Sequence, residues 1–153
     1  MSERLVDIMT MKKCILMTAP VVFFMLIVAG CAGEQDPAQN AYDHNMSVIF
    51  DQLAVVNNIS AQWTQIEDIL QLKALLIDYR SNLTILQDDM NLTYQAGAAL
   101  KKNLDKGSSE YATVLDNEQK MREYFELYVT DYNRHATSYN NAPGQQYGTV
   151  PLF

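Results

Sequence analysis

Thiols are scarce in this chain. Its only cysteines are Cys14 and Cys31, so nothing beyond Cys31 can form a disulfide, act as a cysteine nucleophile or hold zinc through sulfur. Histidine is equally rare, with His44 and His135 alone. Neither lies in a Glu-x-x-His or His-Glu-x-x-His arrangement, so a di-iron or zincin centre is not indicated. There is no glycine-rich phosphate loop and no Gly-x-Ser-x-Gly elbow. Positive charge is in deficit, with eleven Lys and Arg against eighteen Asp and Glu. Three of the basic and two of the acidic residues lie before Cys31, which leaves eight against sixteen in the remainder. A surface of that sign repels nucleic acid and anionic headgroups, so no nucleic-acid partner is expected. No stretch alternates with period two and no Asn-Gly hairpin signal occurs, which leaves helix as the regular element to expect.

What the chain has instead begins at Met11. Lys12 and Lys13 lead a mostly apolar run from Ile15 to Val28, closed by Ala29 and Gly30 before Cys31. That is the three-part layout of an export signal. Val28-Ala29-Gly30-Cys31 resembles the lipobox of prokaryotic lipoproteins, bacterial or archaeal. The resemblance implies cleavage between Gly30 and Cys31 and lipidation of Cys31. It also implies a mature protein held in membrane lipid at the extracytoplasmic face of the cell membrane. The alternative is an uncleaved transmembrane anchor. Against it stand the sixteen residues from Ile15 to Gly30, where a span needs about 20, and Pro20 inside the run. Met1 to Thr10 carries Glu3 and Asp7 where signal n-regions are usually basic, so translation is expected to start at Met11 or Met9, the alternative being a long n-region. The chain thus divides into a signal (1–31), a polar linker (32–39), a helical domain (40–141) and a flexible C-terminal tail (142–153).

Three apolar rows at helical spacing fill the domain. The first is Tyr42, Met46, Ile49, Leu53 and Val56. The second runs from Ile69 through Leu72, Leu76, Tyr79, Leu83, Leu86 and Met90, and continues by Thr93 and Gly97 to Leu100 and Leu104. The third runs Tyr111, Val114, Glu118, Met121, Phe125, Tyr128, Tyr132, His135 and Tyr139. Asn57-Asn58 interrupts the first row, with Ser60 as the next N-cap, and Lys106-Gly107-Ser108 marks a stop and a new start. The expected fold is all-α: an elongated antiparallel bundle of three long helices, about 40–58, 60–105 and 109–139, with coiled-coil-like packing. Thr93 to Gly97 is the place where the second helix could bend or break. Folding back near residues 59 and 107 sets the first and third helices along opposite halves of the second.

Few residues carry chemistry. Eight of nine tyrosines lie between Tyr42 and Tyr139, which reads as a core with phenols at its edge rather than a ligand platform. Asn45, Asn58, Asn82 and Asn91 each open an N-x-Ser/Thr sequon, candidates for N-glycosylation in a host that performs it, chance in an Asn-rich chain being the alternative. The fold-back topology brings His44 toward His135 at mid-bundle, with Asp43 and Asp131 beside them, a candidate zinc-type ligand set set against two unrelated edge histidines. Trp63-Thr64-Gln65-Ile66-Glu67, then Leu70-Gln71, Lys73 and Leu76-Ile77, resembles a piece of the LemA family, and departs from it at Asp78-Tyr79-Arg80, where that family has Pro-Asn-Leu. That resemblance implies a membrane-anchored, helical envelope protein and no chemistry. The expected function is therefore non-enzymatic and without cofactor: scaffolding or contact with another envelope protein, or self-association. The alternative is an extracytoplasmic sensor or a small-ligand or metal-binding module.

Overall fold

The computed structural model describes residues 36–143 and 146–153. Gly30 and Cys31, and with them the signal, lie outside the described residues. Among the described residues the chain is all-α. Helix α1 spans Pro37–Gln62, a single 3-10 turn follows at Trp63–Gln65, and then come α2 (Ile69–Lys101) and α3 (Ser109–Asn140).

Each helix starts on a side chain that satisfies amides the helix leaves unpaired. Asp36 accepts the Ala38 N–H, with Pro37 in the first turn where its missing donor costs nothing. Asp68 accepts the N–H groups of Leu70 and Gln71. Ser108 accepts that of Tyr111, with Glu110 in the first turn. The three apolar rows become the core. Ile49 and Val56 of α1, Leu76, Leu83 and Leu86 of α2, and Tyr132 and Ala136 of α3 are all at 0% exposure. Each large apolar side chain buried to that degree contributes about 1.5–3 kcal/mol.

The helix boundaries differ from the expectation at one corner, with a consequence for topology. Ser60 is not an N-cap. Helix α1 runs on through Asn57-Asn58-Ile59-Ser60, because Asn57 and Ser60 find partners across the bundle. Asn57 Oδ1 accepts from the Tyr128 hydroxyl at 3.3 Å, and Ser60 Oγ donates to Asp131 at 2.7 Å. The chain turns instead at 63–68, and Gln52 on α1 then meets Asn82 on α2. That pairing centres the fold-back near residue 67 rather than 59. A shorter α2 cannot carry α1 and α3 on opposite halves, so the two run side by side and parallel. Their cross-links Asn57–Tyr128, Ser60–Asp131 and Trp63–His135 keep a constant offset of 71, 71 and 72 residues.

Helix α2 is continuous through Thr93 to Gly97. Thr93, fully buried, satisfies its hydroxyl on the Asp89 carbonyl, and at Gly97 side chains of both other helices approach the backbone of α2. A Cβ on Gly97 would stand 2.6 Å from Glu118 Oε1 of α3 and 3.1 Å from the Tyr42 ring of α1. Gly107 is not the residue that ends α2. The helix closes at Lys101, the N–H groups of Lys102 and Asn103 bonding to the carbonyls of Ala99 and Leu100.

The description of 142–153 as a flexible tail fails at its end. Val150 is 3% exposed, and residues 150–153 lie against α3 through five hydrogen bonds. Asn133, Tyr132 and Asn140 supply backbone partners that a reading of polar composition has no means to anticipate.

Candidate functional site

Two polar constellations and one apolar face stand out. The first surrounds Asp131 where α1, α2 and α3 meet. Its carboxylate accepts from Ser60 Oγ (2.7 Å) and the Tyr79 hydroxyl (3.2 Å), and pairs with Arg134 and with His135 Nε2 (3.3 Å). The His135 ring in turn lies against Trp63, centroids 4.1 Å apart. Burial alone pushes the Asp131 carboxyl up, but hydrogen bonds from His135 and Ser60, the charge interaction with His135 and the Arg134 bond outweigh it. The group is held well below the usual carboxylate range. The Tyr79 phenol moves the other way, pushed far up by burial and by the Asp131 charge. Chemically this is a tie rather than an activated nucleophile. Ser60 gives its proton's bond to a carboxylate of very low basicity, and the imidazole faces that carboxylate and Trp63.

The second constellation is the clasp on the tail. Asn140 Oδ1 accepts the Val150 N–H and its Nδ2 donates to the Val150 carbonyl, both at 2.8 Å. Asn133 Oδ1 accepts the Phe153 N–H at 2.8 Å, with its Nδ2 at 3.5 Å from the Phe153 carbonyl. Between them the Tyr132 hydroxyl donates to the Pro151 carbonyl at 2.6 Å. The Phe153 ring meets Phe125 edge-on, and the Arg80 guanidinium lies 6.0 Å over its centroid. Lys73 Nζ donates to the Tyr147 carbonyl, and Gly148, at φ +74°, turns the chain there.

Beside the tail, α2 presents apolar residues to solvent. Leu70, Ile77, Ile85 and Leu92 are 50%, 57%, 47% and 54% exposed. At 3.6 residues per turn they fall within an arc of about 80°, opposite the core row of Leu76, Leu83 and Met90. An open groove of about 390 Å³ lies where this face meets the tail, lined by Ile77, Arg80, Thr84, Ile85, Tyr132 and Val150 among others.

The candidate metal quartet does not assemble. Ser60 is level with Asp131, and His44 stands sixteen residues earlier on the same helix, about 24 Å along the axis. Asp43 pairs with Gln39 on an exposed turn of α1. Among the described residues no group of three or more His, Cys, Asp or Glu is placed to hold a metal ion. The proposed approach of His44 and His135 depended on a fold-back at 59, and moving it to about 67 separates them. Of the sequon asparagines, Asn58 and Asn91 are exposed and Asn45 is half-buried. Asn82, also half-buried, is engaged by Gln52 and by Asp78. Residues 63–77 form the α1–α2 corner and the first turns of α2. The tail clasp was missed from sequence. The Asn133/Asn140 spacing of seven is its only signal, and it acquires meaning once the tail is seen to be extended. No family model, curated protein or solved structure matches the chain.

Proposed function

We propose that this chain is a lipid-anchored helical protein of the extracytoplasmic face of the cell membrane, working by protein–protein contact and not by catalysis. The address rests on Lys12-Lys13, the apolar run to Val28 and the lipobox-like Val28-Ala29-Gly30-Cys31. The reading assigns attachment to Cys31, the sixteen residues from Ile15 to Gly30 and Pro20 within them speaking against a spanning helix there. The observation that carries the contact reading is the outer stripe of α2. Four large apolar side chains, each about half exposed, line one face of a helix whose opposite face already fills the core. The rival reading, a small-ligand module, draws on the groove of about 390 Å³, a volume within the range of ligand clefts. The groove's polar groups do not converge, however. Thr84 bonds its own helix and Arg80 lies over Phe153.

Two measurements test the proposal. Intact-mass analysis of the protein taken from membranes is expected to show a chain beginning at a lipid-modified Cys31, with Cys31→Ala unprocessed, and an unmodified Cys31 overturns the address. A photo-crosslinking residue at Ile77 or Ile85, in cells, is expected to give a discrete adduct that the same residue at Glu123 does not give. Equal adducts at all three positions, or none, overturn the contact reading.

A further inference from the structure

Eleven asparagines and thirteen serines and threonines follow Cys31, a composition from which chance gives about one N-x-Ser/Thr sequon, yet four are present. The fold sorts them. Asn58 and Asn91 are exposed, and their side-chain amides make no hydrogen bond among the described residues. Asn82 is half-buried and its amide is in use at both ends: Nδ2 donates to the carbonyl and the carboxylate of Asp78, and Oδ1 accepts from Gln52. Asn45 is half-buried on α1. A glycan is bulky and hydrophilic and has to stay in water. Of the four, Asn58 and Asn91 can carry one in the folded domain without giving up burial or bonds. The hydroxyls that complete these two sequons are turned inward. Ser60 Oγ donates to Asp131 at 2.7 Å, and Thr93, at 0% exposure, bonds the Asp89 carbonyl at 2.8 Å. An enzyme that reads the amide and the hydroxyl together finds both on the extended chain and not on the folded one.

We propose that Asn58 and Asn91 are N-glycosylated, on the chain as it emerges from export and before α1 and α2 form. The Nδ2 nitrogen of each attacks the anomeric carbon of a lipid-phosphate-linked oligosaccharide. The C–N bond forms as the bond from that carbon to the phosphate oxygen breaks. The lipid phosphate leaves, and one amide proton passes to a base of the transferase. The modified nitrogen keeps a single hydrogen and points its sugar into solvent at both positions. At Asn82 a single hydrogen no longer serves both oxygens of Asp78, and the sugar would press on a half-buried contact with α1. A chain modified there does not close this packing, so the folded protein carries no sugar on Asn82. The inference rests on the extracytoplasmic address, since the activated sugar is met on that side of the membrane.

The test is intact-mass and peptide-mass analysis of the full chain, taken from membranes of the cell that naturally makes it. Wild type is expected to carry two equal sugar additions, one on the peptide holding Asn58 and one on the peptide holding Asn91. Asn58→Gln and Asn91→Gln should each remove one addition, and Asn82→Gln none. Thr93→Ser keeps the sequon and should keep the addition that Asn91→Gln loses, which ties the loss to the motif and not to a disturbed helix. Bare peptides at Asn58 and Asn91 overturn the proposal. Sugar on Asn82 in protein of wild-type helical circular dichroism overturns the sorting by the fold. The same spectra read Cys31. Lipid on Cys31 without sugar overturns this inference and leaves the address standing, whereas sugar on a chain whose Cys31 is unmodified supports this inference and overturns the lipid anchor.

Discussion

Gly97→Ala sets two well-known magnitudes against each other. In an exposed helix interior the change stabilises by about 0.8–1 kcal/mol, because glycine loses more backbone freedom on folding. Gly97 is buried, and its new Cβ would lie 2.6 Å from Glu118 Oε1 and 3.1 Å from Tyr42 Cε2. The carboxylate end of a glutamate ordinarily swings aside at little cost. Here Lys101 Nζ holds both of its oxygens at 2.7 Å, and the pair is largely shielded, at 20% and 13% side-chain exposure. The Tyr42 ring, 3% exposed, has packed neighbours and little room to retreat. Overpacking of this kind costs about 1–3 kcal/mol, occasionally more, and with the ion pair also displaced it outweighs the propensity gain. The expected net effect is a loss of about 1–2 kcal/mol, read as a drop of roughly 4–8 °C in melting temperature for a domain of this size. Thermal and urea melts followed at 222 nm measure it. Repeating the change in a Glu118→Ala background should recover part of the loss, since the nearest obstacle is gone, and the double-mutant cycle reports that coupling. A Gly97→Ala protein that melts higher than wild type refutes the close approach of three helices at this point.

Truncating Leu76, Leu83 or Leu86 to Ala should each cost about 2–5 kcal/mol in chemical denaturation, while Asp88→Ala, exposed on α2, stays within about 0.5 kcal/mol. Asp131→Ala should cost about 1–3 kcal/mol near neutral pH by removing the acceptor of Ser60 and the partner of the His135 ring, while the Tyr79 hydroxyl keeps the Tyr128 carbonyl. Its folded-state pKa is depressed, so that stabilisation is present above the ordinary value of about 3.9 and lost as pH falls. The gap between wild type and Asp131→Ala in melting temperature should therefore close in acid. Tyr79 behaves oppositely. Its raised pKa gives stability that is present below about pH 10 and lost above it, so Tyr79→Phe should flatten the alkaline decline in melting temperature.

The core was legible because helical periodicity is a local signal. Tyr42, Met46, Ile49 and Val56, the α2 row from Leu76 to Leu100, and the α3 row from Val114 to Tyr139 stand where their spacing put them, with Leu53, Phe125 and His135 half-buried at the edge. The corner was not legible, because asparagine's poor helix propensity is worth only about 0.7 kcal/mol and a tertiary hydrogen bond exceeds it. Asn57 and Ser60 look like a stop until Tyr128 and Asp131 are beside them. An error of that size, some eight residues in the centre of one turn, was enough to assemble an illusory metal quartet. The tail was hidden for a related reason. Val150-Pro151-Leu152-Phe153 is apolar but carries no periodicity, and its docking depends in part on backbone hydrogen bonds that no side-chain pattern records.

The odd number of long helices among the described residues has a mechanical consequence. The chain enters the bundle at Asp36, at one pole, and α3 delivers it at Asn140, at the other, about 48 Å of helix away from Ser109. A pull between the two ends of such a bundle acts along the helix axes. It loads the interfaces in shear, many contacts at once, instead of peeling one pair at a time as it would if both ends left at the same pole. Resistance to such a pull is set by the unfolding rate more than by equilibrium stability. A force applied between Asp36 and Asn140 thus pulls the bundle in its stiffest direction.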